Sequence, residues 1–234
     1  MSEYDIWAAD YDEWADVMTD DVPFYVDLAR EAAGDTIVEL GVGTGRVAIP
    51  IARETGKRVI GIDTSPAMLA VGRERAGDLP VEFREGDFRD FTVEEPVDLV
   101  ICPFRALLHA PTFADKRRVL EAAAAALKPG GRFAWNAFVF SPFIAAKNHG
   151  QKHERNDGLW ELVEHVPADN RIDLTRGRGD QSEGTVHLWW ATKSEWDGLI
   201  EVSGFELEAL YGWFDRRPFD DEAPEYVYVA RKPA

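Results

Sequence analysis

The stretch Thr36-Ile37-Val38-Glu39-Leu40-Gly41-Val42-Gly43-Thr44-Gly45-Arg46 decides how the chain is read. A β-branched run ends in three glycines, and a helical stretch over 46–55 follows. A strand entering a glycine turn and then a helix is the opening unit of a parallel α/β sheet. The glycines let the backbone turn tightly and approach a ligand, and the free N–H groups of the helix start face the same place. The spacing is G-x-G-x-G, with Arg at position 46. The dinucleotide fingerprint wants G-x-G-x-x-G, so a nicotinamide or flavin cofactor is disfavoured. Glu39, just ahead of the glycines, would repel a pyrophosphate and welcome a cation.

Strand and helix signals alternate downstream. Residues 58–62 form the second strand, and Ser65-Pro66 starts a helix with Ser65 as N-cap and Pro66 at the first helical position. Residues 81–83 and 97–102 are the third and fourth strands. Residues 115–127 make a helix stopped by Lys128-Pro129-Gly130-Gly131, and 132–140 the fifth strand. Such alternation predicts a parallel sheet covered on both faces. Upstream, residues 1–33 read as helical, with Trp7, Tyr11, Trp14 and Met18 on one face. The pattern breaks at Ser141. Turn signals at Asn156-Asp157-Gly158, Ala168-Asp169-Asn170 and Gln181-Ser182-Glu183-Gly184 separate alternating segments 161–166, 171–178 and 185–191. These read as antiparallel strands added to the main sheet or covering it. A capping box, Thr192-x-x-Glu195, opens a helix ending at Ser203-Gly204, and 205–210 and 225–230 are the last strands.

Two further acidic positions stand at strand ends. Asp63 closes the second strand, where a carboxylate can reach ribose hydroxyls or simply cap the Ser65 helix. Gly86-Asp87-Phe88 follows the third strand and offers an acceptor and a ring for adenine. Together with the glycine turn, this constellation resembles the class I S-adenosylmethionine-dependent methyltransferases of small-molecule type, over most of the chain. Glu39-x-Gly41-x-Gly43-x-Gly45, Gly61-Ile62-Asp63-x-Ser65-Pro66-x-Met68-Leu69 and Gly86-Asp87-Phe88 look like three of their motifs. Leu127-Lys128-Pro129-Gly130-Gly131-Arg132-Phe133 and Ser203-Gly204-Phe205 match their later corners.

The resemblance implies a Rossmann-like α/β fold. Its seven-stranded, mostly parallel sheet has helices on both faces and an antiparallel last strand, with an antiparallel insertion before the last helix. It implies S-adenosylmethionine as cofactor and S-adenosylhomocysteine as product, and one domain in four parts. These are a helical lid (1–33), a cofactor-binding core (34–140), an acceptor-shaping insertion (141–192) and a C-terminal helix with strands (193–234). The expected cofactor residues are Tyr11, Glu39, Gly41, Gly43, Gly45, Arg46, Asp63, Met68, Asp87, Phe88 and Pro103.

Methyl transfer from a sulfonium is an in-line displacement, so the protein mainly positions the nucleophile and excludes water. The segment Cys102-Pro103-Phe104-Arg105-Ala106-Leu107-Leu108-His109 lies where the family faces the methyl group. It lacks both the Asn/Asp-Pro-Pro-Tyr/Phe signature of nucleobase enzymes and the acidic strand end of metal-dependent members. A small-molecule acceptor and no metal are therefore expected. His109 is either the base or a packed helix residue, and Arg105 pairs with a substrate carboxylate or the cofactor's own, or else forms a surface salt bridge. Trp135, Asn136, His187, Trp189 and Trp213 complete the expected acceptor residues, the alternative being an aromatic core under an extra sheet. An aromatic pocket in an acidic protein leans toward an amine acceptor. Two other readings remain: a nucleotide-dependent oxidoreductase and a non-catalytic S-adenosylmethionine-binding relative.

Composition agrees with this picture. The 234 residues are 45% hydrophobic and suit one globular domain with a sizeable core. Twenty-six Lys and Arg against 43 Asp and Glu give a net charge of −17, without the basic footprint of a nucleic-acid binder and repelled by anionic membranes. One cysteine, Cys102, rules out an intrachain disulfide and suits a reducing compartment. The acidic start has no apolar stretch behind it, so a cytoplasmic location is expected. Oligomeric state is not legible.

Overall fold

The computed structural model describes residues 2–15, 18–155 and 158–234. A 3-10 turn at Asp5–Trp7 and two helices, α1 (Tyr11–Ala15) and α2 (Asp21–Glu31), precede the sheet. The helical run expected over 1–33 is thus broken. Pro23 falls in the first turn of α2, where its missing N–H is harmless; inside a longer helix it would clash with the preceding turn. The strands β1 (Thr36–Leu40), β2 (Arg58–Asp63), β3 (Val81–Glu85), β4 (Val97–Cys102) and β5 (Leu127–Phe138) then alternate with helices. Those helices are α3 (Ala48–Thr55) after β1, α4 (Pro66–Ala76) after β2 and α5 (Phe113–Ala126) after β4. Ser65 caps α4 by accepting from the Met68 N–H, as its Ser-Pro signal predicts. α3 starts two residues later than expected, because residues 43–47 stay in the glycine turn.

Downstream of Ser141 come α6 (Pro142–Asn148), β6 (Gln151–Glu154), β7 (Leu159–Val166), β8 (Arg171–Arg178) and β9 (Gln181–Trp189). The chain ends with α7 (Lys193–Val202), β10 (Glu206–Tyr211) and β11 (Glu225–Arg231). The main sheet runs β10-β11-β5-β4-β1-β2-β3, and β11 is antiparallel to both of its neighbours. All other pairings in it are parallel. The sequence reading missed α6, although Ser141-Pro142 repeats the Ser-Pro signal of α4, and it missed β6. The segments after Ser141 form a sheet of their own, β6-β7-β8-β9. Its last hairpin turns at Gly179, in the left-handed region, and not at 181–184, which lie within β9. The expected turn residues Asn156 and Asp157 lie outside the described residues.

Alternate side chains of each parallel strand enter different cores. Val38, Leu40, Ile60 and Val100 pack under α5 and α7 against Val119, Leu120 and Trp196. Ile37, Val59, Leu99 and Ile101 pack under α2 and α3 against Phe24, Leu28 and Ile51. With both faces filled, the carboxyl edge of β1–β4 is the open side, and the ends of a parallel sheet are where α/β folds bind ligands.

Candidate active site

A cavity of about 450 Å³ lies over that edge. Gly41 and Gly43 form its floor in left-handed conformations, at φ +70° and +52°. A Cβ on Gly41 would stand 2.6 Å from the Ala106 side chain, so a side chain there would collide with the far wall. Asp63 lies beside them. One of its oxygens accepts from the Gly43 N–H at 2.8 Å and the other from Ser65 N–H at 2.9 Å. Burial raises the Asp63 pKa, while the N–H groups of Ser65, Gly43 and Thr64 pull it the other way. Met68, Asp87, Phe88 and Pro103 line the cavity beyond, and Tyr11 covers it from α1. Asp87 is held by Arg89, whose guanidinium contacts it at 2.5 Å and also reaches Asp115.

His109 also faces the cavity. Its Nε2 lies 3.0 Å from the Tyr4 hydroxyl. Desolvation pulls its pKa down to about 4, even though a hydrogen bond to the main chain of His187 favours the protonated ring. The imidazole is therefore neutral at physiological pH, so one ring nitrogen is free to accept from Tyr4.

Several expected residues stand elsewhere. Glu39 is buried beneath the glycine loop outside the cavity wall, with its pKa well above the usual carboxylate range because of burial and one oxygen unpartnered. Arg46 also lies outside the wall; it forms a two-pronged pair with buried Asp21 and lies 4.4 Å from the Phe104 ring. Gly45 makes room for packing, since a Cβ would meet Ile49 and Phe83 at 3.0 Å. Arg105 does not line the cavity; it pairs with Glu225, a fully buried carboxylate and not the surface acid expected. Trp135 is a core residue, stacked between Phe133 and Tyr228, because β5 turns it toward α7. Asn136, on the other face, bonds Tyr25 and Glu225. His187 bonds Asp173 at 2.6 Å, and Trp213 donates to Asp20 at 3.1 Å. Of the acceptor residues expected, Trp189 alone reaches the cavity wall.

Sequence reasoning missed Glu3, Tyr4, Thr64, Arg89, Phe104 and Pro111, which also line it. Tyr4 had a legible signal: three residues before Trp7 and seven before Tyr11, it extends the same aromatic face. Phe104 and Arg105 both have positive φ, 54° and 64°, a conformation uncommon for residues with side chains and held here by the turn after β4. Among the described residues no group of three His, Cys, Asp or Glu side chains could hold a metal ion. No helix of the described residues is long and apolar enough to cross a membrane.

A model described as a methyltransferase domain matches residues 37–131. The structure of the CcbJ methyltransferase from Streptomyces caelestis superposes over 100% of both chains, with a TM-score of 0.86 and 28% identity. The chain is an S-adenosylmethionine-dependent methyltransferase. This methyltransferase is also 26% identical over 215 residues to a cypemycin N-terminal methyltransferase from a Streptomyces species, covering 89% of this chain and 87% of the relative. S-adenosylmethionine-bound CalS10, an amino pentose methyltransferase from Micromonospora echinaspora, is similar at 25% identity and a TM-score of 0.68, over 94% of this chain and 90% of that one. The methyltransferase uses S-adenosylmethionine.

The cavity suits that cofactor. Its volume, the glycine floor that a Cβ would obstruct and the carboxylate of Asp63 at the second strand end match a nucleoside with an extended methionine arm.

Proposed function

We propose that the acceptor atom is an amine nitrogen, presented neutral to the methyl group. One observation carries this reading: apart from the exposed carboxylate of Glu3, the cavity wall offers only weak or already occupied proton acceptors. Burial raises the Tyr4 and Tyr11 hydroxyls, and it lowers the proton affinity of His109. Asp63 is occupied by backbone N–H groups, and Asp87 by Arg89. An amine needs no such base, because its neutral form is already nucleophilic. Glu3, Asp63 and Asp87 in the wall would also favour approach of an ammonium that sheds its proton on arrival. The names of two relatives, an N-terminal methyltransferase and an amino pentose methyltransferase, agree with this reading.

The cofactor supplies an electrophilic methyl on a sulfonium. In this reading Gly41 and Gly43 leave space for the methionine arm, Asp63 accepts from the ribose hydroxyls, and Met68, Asp87 and Phe88 frame the adenine. Tyr11 and Phe104 exclude water. With one His109 ring N–H given to the main chain of His187, the Tyr4 hydroxyl can donate to Nε2. A proton released by the acceptor can pass to the Tyr4 oxygen as the Tyr4 proton moves to Nε2. His109 holds it briefly and returns it to solvent, since its imidazolium is disfavoured.

The test is a turnover screen of primary and secondary amines beside hydroxyl compounds of matched shape, read as S-adenosylhomocysteine formed. Amines are expected to react and their hydroxyl counterparts to stay inert; the opposite order overturns the nitrogen assignment. In parallel, Asp63→Ala should weaken S-adenosylhomocysteine binding by at least roughly tenfold by calorimetry, since charge-assisted bonds contribute about 1.5–3 kcal/mol each.

A further inference from the structure

The segment 2–15 lies across the cavity like a strap, and its acidic residues land on different elements around the rim. Asp5 accepts from Ser65 Oγ at 2.6 Å, and Asp12 from Thr44 Oγ1 at 2.6 Å. These hold the strap to the nucleotide side. On the opposite side stands the small sheet, and there the main tie is Arg176 of β8. Along the inward face of that strand Ile172 and Leu174 are followed by Arg176, where the alternation calls for another apolar side chain. Arg176 is only 1% exposed. Its guanidinium donates to Asp10 of the strap at 2.5 Å and to Glu183 of β9 at 3.0 Å, and lies 5.3 Å from the Trp7 ring. Gly184 next door carries no side chain, and a Cβ there would stand 2.3 Å from Ile6 of the strap. The small sheet is shaped to receive the strap.

A buried ion pair is not needed to hold a sheet together. An apolar residue of similar volume often serves as well, whereas removing one partner strands a charge. The Arg176 Nη1 has no partner, a cost that packing alone would not select. We infer that Arg176 is a positioning residue: through Asp10 it closes the strap over the cofactor, so that Tyr4 and Tyr11 form the roof of the cavity. The small sheet thereby takes part in cofactor retention as well as in shaping the acceptor side, where Trp189 already lines the same wall. This inference rests on the assignment of the cavity to S-adenosylmethionine.

The experiment pairs calorimetry of S-adenosylhomocysteine with amide hydrogen exchange, on the full chain and on Arg176→Met, Arg176→Lys and Asp10→Asn. Arg176→Met and Asp10→Asn should weaken binding at least about tenfold and speed exchange of amides 4–15, while amides of β1 and β4 stay protected. Arg176→Lys should restore part of the affinity, because it keeps the charge and loses the planar fork. The double variant should bind no worse than Asp10→Asn alone, because Asp10 also accepts from Arg178 and its loss removes both contacts. Should Arg176→Met fail to fold, Asp10→Asn carries the test, since Asp10 is half-buried on the strap and lies outside the sheet's pairing. Unchanged affinity and unchanged strap exchange in Asp10→Asn overturn the latch. A wild-type chain that does not bind S-adenosylhomocysteine, or an Asp63→Ala variant that binds it normally, instead sinks the cavity assignment.

Discussion

Every residue of β4 except Asp98 is buried, whereas in β7 only Leu159 is. The two strands belong to halves of the molecule held together by different forces. The parallel frame is closed by apolar burial on both faces, which pH and salt barely alter. The roof, made of the strap and the small sheet, presents half-buried strands and is tied by carboxylates, guanidiniums and imidazoles. A frame of this kind can stay rigid while the roof opens to exchange cofactor, because most of the apolar burial lies on the frame side of the cavity. The contrast also separates stability from ligand retention: changes in the frame should be felt in unfolding, and changes in the roof in binding and turnover.

Trp135 and Trp160 put the contrast to its largest test. Trp135→Ala removes a fully buried ring stacked in the frame and should cost about 3–5 kcal/mol in denaturant unfolding. Trp160→Ala removes a ring on the outer face of the small sheet and should cost about 1 kcal/mol or less. Equal losses would mean that the small sheet is as firmly built as the frame. A smaller effect is expected at the cavity itself. His109→Ala should lower kcat roughly hundredfold in single-turnover assays, the lower end for a proton-handling group, with S-adenosylhomocysteine affinity within about threefold. A folded variant with near-normal kcat would leave His109 as packing and Tyr4 without a proton partner.

The smallest expected effect is in pH dependence. His109 titrates near 6.5 when unfolded and about 4 when folded, so the unfolded chain binds the extra proton between those values. Its contribution to stability is complete above about pH 6.5 and is lost as pH falls toward 4. Chemical denaturation of the wild type and of His109→Gln across that window should show the shallower pH slope in the variant. Identical slopes would remove the buried neutral imidazole from the account.

The aromatic residues show where sequence reading stops. Trp135, Trp189 and Trp213 have the same chemistry and similar surroundings in the sequence, yet one lies in the core, one in the cavity wall and one against Asp20. Alternation separates the two faces of a strand, but which face meets a helix and which meets a cavity depends on elements far along the chain. The same limit applies to Arg105, whose partner Glu225 is 120 positions away.

What the sequence determined by itself is the frame and its edge. Parallel strands buried on both faces need apolar runs, Ser-Pro caps carry their own N-terminal hydrogen bonds, and Gly41 and Gly43 meet a left-handed backbone requirement that is local. With those in place, Asp63 and Asp87 fall on the carboxyl edge by connectivity alone. Tertiary structure alone decided the roof. Asp10 and Arg176 stand 166 positions apart, and neither has a local signal for the other. A charge as buried as Arg176 is stable only beside an opposite one. Only the folded chain, bringing strap and small sheet together over the cavity, supplies that neighbour.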